Sequence, residues 1–446
     1  MEKRKWKFRI SVFNDKEISM RAVIWSQINQ TRYWTAQSCS GKGRGKTVNF
    51  AALLFACALS LAMSSLGRGH KPDQHTAKDA NNPLWKLDLR SVGFTKFVPK
   101  GEQWGLHFKP NSLCFSDRSV LIATFITRED ATTLARRDQP GEILPLRLHG
   151  IFLDAKVGSV RNTREWSITR PRGGIVAVDG GDFAVLSPAT IALYSRDLSL
   201  LKELSLTAEQ QSKLWDFHSS PTGKTILAEY HYPEAAFQWI DLNSLQAQPI
   251  WHDDTLASIS ISDNALASTW APYIKSKGVT IHEVLIRGRD GAERIFCRDV
   301  AGEEAGCALP QFLSNDLLAL WGPHGFSVVA VVGRDSVPIL TESFRDEWLG
   351  HPIFPSVDGK RFAVALLAYK GGSEILDIDP HVVLKRIVVY DVQNRQAVYT
   401  FDAKIQKIKD VAGVALSPDG SQLAILSDGV LEVFRLPSER TDSIGP

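Results

Sequence analysis

Short apolar runs alternate with tight turns along most of the chain, and the pattern is clearest over residues 413–436. Residues 414–416 form a brief apolar run, and residues 417–420 (SPDG) then combine residue types that reverse a chain. Pro presets φ, Asp accepts backbone N–H groups and Gly supplies a positive φ. Two more strand-like runs follow. The stretch predicts an antiparallel meander that is too small to bury its own faces and must stack on copies of itself.

Seven copies of the first turn occur, each followed by an apolar run. They lie at residues 115–117, 179–181, 220–223, 262–264, 314–316, 356–359 and 417–420. A second mark, an aromatic or β-branched run that usually closes on Asp, alternates with the turns, as at residues 239–242 and 388–392. Successive turns are separated by roughly forty to sixty residues, which suits four-stranded propeller blades with unequal loops.

The SPDG turn with its apolar strand, together with the VYDV run at residues 389–392, resembles the WD40-like repeats of the TolB-type β-propeller. The resemblance covers most of residues 84–437 and implies a fold only, because such propellers host both binding and catalysis. The Trp215-Asp216 dipeptide does not end a third strand, so the chain is not expected to be a true WD40 protein.

Few residues follow the last strand-like run, which ends at Leu436, so the final blade lacks its outer strand. Residues 84–89 and 92–98 are strand-like and otherwise unpaired, and we expect this N-terminal segment to supply the missing strand. We therefore predict an all-β fold, a β-propeller of seven four-stranded blades whose N-terminal strand closes the last blade. An array that does not close, or a ring of six or eight blades, is the alternative.

The first 66 residues form a separate region. A basic stretch precedes an uncharged apolar run at residues 47–64, which is typical of a signal peptide cleaved after Ser64. An uncleaved membrane anchor over residues 48–66 is the alternative, because that run is just long enough to span a bilayer. Residues 67–83 then form a polar linker, residues 84–437 the propeller, and residues 438–446 a C-terminal tail.

Charge and export together limit the possible partners. Residues 1–64 hold eleven Lys or Arg and three acids, so the remaining chain carries a net charge of about −5. That balance argues against nucleic-acid binding. We expect a periplasmic or secreted protein, or a membrane-anchored one with the propeller outside the cytoplasm, whose contact with the membrane depends on the anchor.

Five cysteines occur, and two of them suit a disulfide. Cys297 ends a strand mark and Cys307 follows a Gly-containing segment, so a disulfide between them is possible in an oxidising compartment. Two separately buried thiols are the alternative. Cys114 is expected to be a buried small hydrophobe.

No local motif for catalysis, cofactor binding or metal binding is present. Residues 40–47 lack the first Gly of a phosphate-binding loop, the eleven histidines show no metal-site spacing, and no Gly-x-Ser-x-Gly elbow occurs. We therefore predict no catalytic, cofactor or metal residues and no cofactor. The turn Asp, Asn and Thr residues are expected to be structural, and Trp215, Trp239, Trp270 and Trp321 to pack between blades.

Insertions at residues 127–144 and 371–380 are candidate partner-contacting loops. The alternative is that each is a solvent-exposed loop without a binding role. The favoured function is an exported module that binds a protein or an envelope component through blade loops. The alternative is a propeller enzyme, such as a lyase, a hydrolase or a quinone-dependent oxidoreductase, with residues that converge at the central channel. A membrane-tethered sensor is a third hypothesis.

Overall fold

Seven antiparallel sheets make up the described part of the chain. The computed structural model describes residues 82–92, 113–128, 146–168, 174–231, 234–253, 255–270, 273–274, 279–300, 309–322, 325–331, 338–344, 347–349, 353–370, 381–402, 413–427 and 429–438. The predicted export segment, most of the insertion predicted at residues 127–144 and all of that at 371–380 lie outside these residues. Of the two compact units in the chain, the one described spans Ala77–Leu134 and Ile143–Pro446.

The strands follow one another along the chain as four-stranded meanders. Strand β1 (Trp85–Asp88) and a 3-10 turn (Leu89–Val92) come first. Blade one contains β2 (Leu113–Phe115), β3 (Val120–Arg128), β4 (Leu146–Asp154) and β5 (Val160–Ile168). Blade two contains β6 (Gly174–Ala177), β7 (Phe183–Leu186), β8 (Thr190–Tyr194) and β9 (Leu200–Ser205). Helix α1 (Ala208–Lys213) then leads into blade three, which contains β10 (Leu214–Ser219), β11 (Thr225–His231), β12 (Ala235–Asp241) and β13 (Trp251–His252).

The remaining blades repeat the arrangement with small additions. Blade four contains β14 (Leu256–Ile261), β15 (Ala265–Trp270), β16 (Tyr273–Ile274), β17 (Val279–Gly288) and β18 (Glu293–Val300), with β16 a short extra strand beside β17. Blade five contains β19 (Leu309–Phe312), β20 (Leu317–Gly322), β21 (Gly325–Ala330) and β22 (Pro338–Ser343). Blade six contains β23 (Trp348–Leu349), β24 (Phe354–Pro355), β25 (Arg361–Lys370), β26 (His381–Asp391) and β27 (Gln396–Asp402). Blade seven contains β28 (Gly413–Leu416), β29 (Gln422–Ser427) and β30 (Val430–Arg435), and β1 completes it.

The predicted closure of the ring is confirmed. Strand β1 pairs antiparallel with β30, with Trp85 opposite Val433 and Leu87 opposite Leu431. The indole Nε1 of Trp85 donates to the carbonyl oxygen of Ala155 in blade one at 2.9 Å. The N-terminal strand therefore completes blade seven and also holds it to blade one.

The hydrophobic core is divided among the spaces between blades. Because side chains alternate along a strand, each sheet presents one apolar face to the blade before it and one to the blade after it. In β11, Ile226 and Ala228 belong to a buried cluster shared with blade two, whereas Leu227 belongs to one shared with blade four. Seven such clusters are present among the described residues, one between each neighbouring pair including blades seven and one. The propeller is therefore a closed ring, as predicted.

The first strand of each blade lies towards the centre of the ring. Strand β2 contacts β6 on one side and β28 on the other, and β14 contacts β10 and β19, so the first strands of these blades are neighbours. No helix in the described part of the chain is long and apolar enough to cross a membrane. Helix α1 begins with a capping box between Thr207 and Gln210.

Candidate functional site

The two ends of the ring differ in the lengths of their connections. In each blade the first and second strands join at one end, here called the turn end, and the second and third strands join at the opposite end, here called the loop end. Connections between first and second strands are three to five residues long in every blade. The longest connections, at residues 93–112, 129–145, 371–380 and 403–412, all belong to the loop end. Variable connections are where binding residues concentrate, so the loop end is the expected functional face.

Bonds between neighbouring blades hold the turn end together. They include Arg118 Nε to Asp419 Oδ2 (3.1 Å), Arg196 Nη2 to Asp117 Oδ2 (2.9 Å), Thr222 Oγ1 to Asp263 Oδ1 (2.6 Å), Asn315 Nδ2 to Asp263 Oδ2 (3.0 Å) and Asp358 N to Pro418 O (3.2 Å). Each bond joins two successive blades through their turns. These bonds join five of the seven neighbouring pairs of blades, and we call the turns that make them the structural seam.

The turn carboxylates serve this seam, as the sequence pattern predicts. Asp117 accepts hydrogen bonds from the backbone N–H groups of Ser119 and Val120 and an ion pair from Arg196. Burial raises the pKa of the Asp117 carboxyl, but these hydrogen bonds and the Arg196 charge outweigh it, so the pKa lies below its ordinary value. A carboxylate already satisfied in this way is structural rather than catalytic.

Blade three departs from the other blades at its innermost strand. Among the first strands as the structure describes them, only β10 carries Asp, Glu, His, Lys or Arg, in the form of Asp216 and His218. The fifth residue counted from the start of the second strand is Glu229 in this blade. In the other blades the same position holds Thr124, Ser187, Thr269, Trp321, Ala365 and Leu426. Blade three therefore carries ionisable side chains at these two places, where the described residues of the other blades carry none.

Two histidines share the carboxylate of Glu229. His218 Nε2 lies 2.8 Å from Glu229 Oε2, and His231 Nε2 lies 3.1 Å from Glu229 Oε1. The carboxylate accepts both bonds when each imidazole carries its proton on Nε2. Burial raises the pKa of Glu229, but the hydrogen bonds and charges of His218 and His231 outweigh it, so this pKa lies below its ordinary value. Glu229 is therefore an ionised group that fixes two imidazoles in place.

The indole of Trp215 covers the outer imidazole. Its ring lies 4.1 Å from that of His231 between centroids, with the planes 4° apart, and Trp215 is 42% exposed. The prediction that Trp215 packs between blades is wrong. The register of β10 against β11 shifts between Leu214 and Asp216, and such a bulge re-aims the side chain at its centre. Trp239 and Trp321 are buried in inter-blade clusters as predicted, and the side chain of Trp270 lies outside the described set.

Two aromatic side chains pack together on the strands that follow the one carrying Glu229. Phe237 is the direct cross-strand partner of Glu229, and its ring lies 4.8 Å from that of Trp251. Arg287 of blade four lies over the Trp251 ring at 4.8 Å and pairs with Asp253 at 2.8 Å. The aromatic pair next to Glu229 is thus in contact with blade four through Arg287. We call Trp215, His218, Glu229 and His231 the blade-three cluster.

Other polar groups in the described residues are less suited to contact a ligand. His149 lies 3.1 Å from Glu165, but it is 2% exposed, and burial lowers its pKa. Arg361 and Asp391 are buried together inside blade six. No group of three or more His, Cys, Asp or Glu residues in the described ranges is arranged to hold a metal ion.

The structure describes the side chain of Cys114 but not those of the two cysteines that were predicted to form a disulfide. Cys307 lies outside the described residues, as does the side chain of Cys297, so the Cys297–Cys307 disulfide stays a prediction. Cys114 is a free thiol on the innermost strand of blade one, and burial raises its pKa to about 12. Cys114 was predicted to be a buried small hydrophobe; its side chain is partly buried, with Sγ 3.8 Å from the carbonyl oxygen of Ile175.

Sequence reasoning missed the blade-three cluster. Glu229 lies in the apolar run of β11, and His218 and His231 had no neighbouring ligand pattern in the sequence. The one available signal was the acid at a position that is uncharged in every other copy of the repeat. The partner-contacting loops predicted from the insertions remain predictions, because almost all of their residues lie outside the described ranges.

Comparisons with known proteins give distant likenesses of fold. No protein-family model matches the sequence, and no curated protein matches it. A chain from the "Crystal Structure of Mitotic Checkpoint Complex" is 13% identical, with a TM-score of 0.47, over 90% of this chain and 100% of that one. The C-terminal WD40 domain of Sif2 is 10% identical, with a TM-score of 0.37, over 76% and 98%. Hydrazine synthase of Kuenenia stuttgartiensis is 13% identical, with a TM-score of 0.42, over 75% and 99%.

The strand arrangement itself determines the fold assignment. Seven antiparallel blades closed by an N-terminal strand are present, whereas the narrower TolB-type assignment stays a prediction. The chain is a seven-bladed β-propeller.

Proposed function

We propose that this propeller is a protein-binding module whose contact is centred on the blade-three cluster. The observation that carries the proposal is the exposed indole of Trp215, stacked on His231 and fixed through Glu229. Tryptophan is strongly enriched among residues that dominate binding energy at interfaces. A propeller with a structural seam at one end and an exposed, fixed aromatic group on blade three suits this role.

Pre-organisation is the physical reason to favour binding over chance exposure. Ordering a flexible side chain on association costs about 0.5–1.5 kcal/mol, and a ring already held by stacking loses less. Here a partly buried carboxylate holds His231, which in turn holds Trp215. An indole already held in one orientation by stacking offers contact area at low entropic cost.

We also propose that the module works outside the cytoplasm, on an envelope or secreted partner. This part rests on the basic stretch and apolar run of residues 1–66 alone. N-terminal sequencing of the protein isolated from its native cells tests it. A chain that begins near Ser65 supports a cleaved signal, and an intact N-terminus in a membrane fraction supports the anchored alternative. An intact N-terminus in the cytoplasm would rule out both.

Chemical cross-linking in native cells tests the binding function. The C-terminally tagged chain is cross-linked and purified, and its conjugates are identified by mass spectrometry. We expect a reproducible partner whose cross-links fall on blade three, and we expect its yield to fall strongly in Trp215→Ala. Val357→Ser is the matched control, because Val357 is also exposed (38%) but lies in a turn at the turn end. Equal recovery by both variants would refute a contact at this cluster.

Catalysis at the same cluster is the second candidate. The observation that favours it is the orientation of two imidazoles by one carboxylate, an arrangement that general acid–base residues use. Native mass spectrometry of the purified chain discriminates the two. A stoichiometric small molecule retained by the wild type and lost from His231→Gln would favour an enzyme, whereas a bare chain with a protein partner favours binding.

A further inference from the structure

Helix α1 leads directly into the strand that carries Trp215. Its C-terminal cap is Leu214, whose backbone N–H donates to the carbonyl oxygen of Gln210 inside the helix. Leu214 is buried in the cluster between blades two and three. The register of β10 then shifts between Leu214 and Asp216, and the direction of a side chain in such a bulge depends on the chain that enters it. The placement of α1 therefore affects that of Trp215.

Two glutamine side chains, here called the glutamine clamp, hold α1 against blade three. Nε2 of Gln210 in α1 donates to Oε1 of Gln238 on β12 at 3.0 Å. The same oxygen accepts a bond from the Tyr230 hydroxyl at 2.9 Å, and Nε2 of Gln238 donates to the carbonyl oxygen of Gln248 at 2.9 Å. Because Gln238 is buried and its amide is fixed from both ends, it offers Gln210 a rigid acceptor.

The clamp and the histidine pair lie on opposite faces of blade three. Gln238 lies opposite Ala228, which belongs to the buried cluster shared with blade two. Glu229 lies opposite Phe237, which belongs to the cluster shared with blade four. Directly opposite residues of an antiparallel pair point to the same face of the sheet. The indole of Trp215 is therefore supported from one face through the stacked imidazole and from the other face through α1.

We propose that Gln210 and Gln238 are positioning residues for the contact surface of blade three and act on Trp215 through α1. This inference rests on the proposed binding function and adds a support for the indole that is separate from His231. A fixed backbone at the entry to β10 keeps the indole in the orientation that the partner meets, so the partner does not have to order it on binding. Without the clamp, α1 keeps its capping box but loses its bond to β12.

Gln210 has two roles that can be separated by substitution. Its Oε1 accepts the backbone N–H of Thr207 at 2.8 Å and completes the capping box, whereas its Nε2 makes the bond to Gln238. Gln210→Glu keeps an acceptor for the capping box, in which Glu serves as well as Gln, and removes the donor to Gln238. The variant therefore breaks the clamp and leaves the start of the helix intact. Gln238→Ala breaks the clamp from the other side.

Indole NMR spectra of the purified chain test the positioning role. The Nε1–H resonance of Trp215 is assigned by its absence from the spectrum of Trp215→Ala and is then followed in Gln210→Glu and Gln238→Ala. We expect both clamp variants to shift or broaden it. Gln311→Ala is the matched control and should leave it unchanged, because Gln311 accepts the backbone N–H of Ile353 at 2.8 Å between blades five and six, away from α1. Melting temperatures show whether each variant is folded.

Three NMR results would overturn the inference. The first is an unchanged Trp215 resonance in the folded clamp variants, and the second is an equal change in Gln311→Ala. The third is a change in Gln238→Ala without one in Gln210→Glu, because the effect would then come from the cavity at Gln238 and not through α1.

The cross-linking experiment separates this inference from the proposed function. Recovery of the partner is expected to fall about two- to tenfold in Gln210→Glu, the range that ordering one side chain on binding costs, and to be unchanged in Gln311→Ala. If the partner is lost in Trp215→Ala but fully recovered in Gln210→Glu, the inference fails and the binding function stands. If the partner persists in Trp215→Ala, the binding function fails, and the NMR result decides whether the clamp holds the indole.

Discussion

The indole of Trp215 lies flat on the imidazole of His231, with ring centroids 4.1 Å apart and planes 4° apart. Nε2 of His231 lies 3.1 Å from the carboxylate oxygen Oε1 of Glu229, which accepts a hydrogen bond when that nitrogen carries the proton. The exposed indole of Trp215 is thus held in place, through His231, by the partly buried carboxylate of Glu229. Substitutions in the cluster, and in the ring that supports it, can test this relationship.

Removing the Glu229 carboxylate is expected to loosen the cluster. In Glu229→Ala both imidazoles lose an acceptor, and the free energy of unfolding is expected to fall by about 1–3 kcal/mol. The spectroscopic signature is a change in the indole Nε1–H resonance of Trp215, measured by NMR. Glu234→Ala, at an exposed position on the same hairpin, is the control and should leave stability within about 0.5 kcal/mol of wild type. An unchanged Trp215 signal in Glu229→Ala would contradict the positioning role of Glu229.

The close approach of two blades at Gly223 predicts a severe effect of a single methyl group. Gly223 has φ +70°, and a Cβ there would overlap the carbonyl oxygen of Ala177 in blade two. Gly180 has φ +85°, but a Cβ there would meet no atom within 4 Å, so it shares the backbone requirement without the clash. Gly180→Ala should cost about 1–2 kcal/mol, and Gly223→Ala clearly more. Denaturant melts measure both, and equal costs would mean that the blades separate easily at this seam.

Closure by β1 predicts a sharp boundary for truncation. A chain that begins at residue 82 retains β1 and should melt cooperatively. One that begins at residue 93 exposes the edge of β30, whose N–H and C=O groups then lack their partners. We expect the shorter chain to associate or aggregate, as measured by light scattering at matched concentrations. Indistinguishable melting and scattering would show that closure contributes little.

The turn end should be sensitive to acid. Asp117 and Asp419 have pKa values below the ordinary 3.8, because hydrogen bonds and the charges of Arg196 and Arg118, respectively, outweigh burial. A depressed folded-state pKa contributes stability above the unfolded-state value, and that stability is lost as the pH falls through the folded-state value. The free energy of unfolding should therefore decline below about pH 3.8. Asp117→Asn should be less stable at neutral pH and decline less steeply. If the free energies of unfolding of wild type and Asp117→Asn fall with pH in parallel, the Asp117 carboxylate does not cause the acid sensitivity.

The Cys114 thiol should not react with alkylating reagents while the protein is folded. Burial raises the pKa of its thiol to about 12, so almost no thiolate exists at neutral pH. Iodoacetamide is expected to leave Cys114 unmodified until denaturant is added, with modification mapped by mass spectrometry. The same digest, run without reductant, tests the predicted Cys297–Cys307 bond. Rapid labelling of native Cys114 would show that blade one opens readily.

The fold could be predicted from the sequence because its signals are local. The turn at residues 417–420 reverses the chain wherever it occurs, and Gly420 takes the predicted positive φ of 64°. Alternation in β11 places Ile226 and Leu227 in different inter-blade clusters, as a buried strand requires. The strand-like run at residues 84–89 had no partner within the repeat pattern, and it is β1 within that run that pairs with β30.

The cluster could not be predicted, because it depends on register and on a bulge. His218 approaches Glu229 only when β10 pairs with β11, and no spacing rule relates residues that meet across a turn of variable length. Trp215 lies beside a strand-like run in the sequence, and this position favours packing between blades. The bulge between Leu214 and Asp216 instead exposes the Trp215 side chain to solvent. The geometry of pairing, rather than residue type, created this surface.

Whether blade three is the contact surface can be decided by cross-linking the tagged chain in its native cells, with wild type, Trp215→Ala and Val357→Ser in parallel. We expect one reproducible partner that is cross-linked near blade three, lost in Trp215→Ala and retained in Val357→Ser. Recovery of the same partner at the same yield by Trp215→Ala would contradict a contact at the blade-three cluster and move the search to another face of the ring.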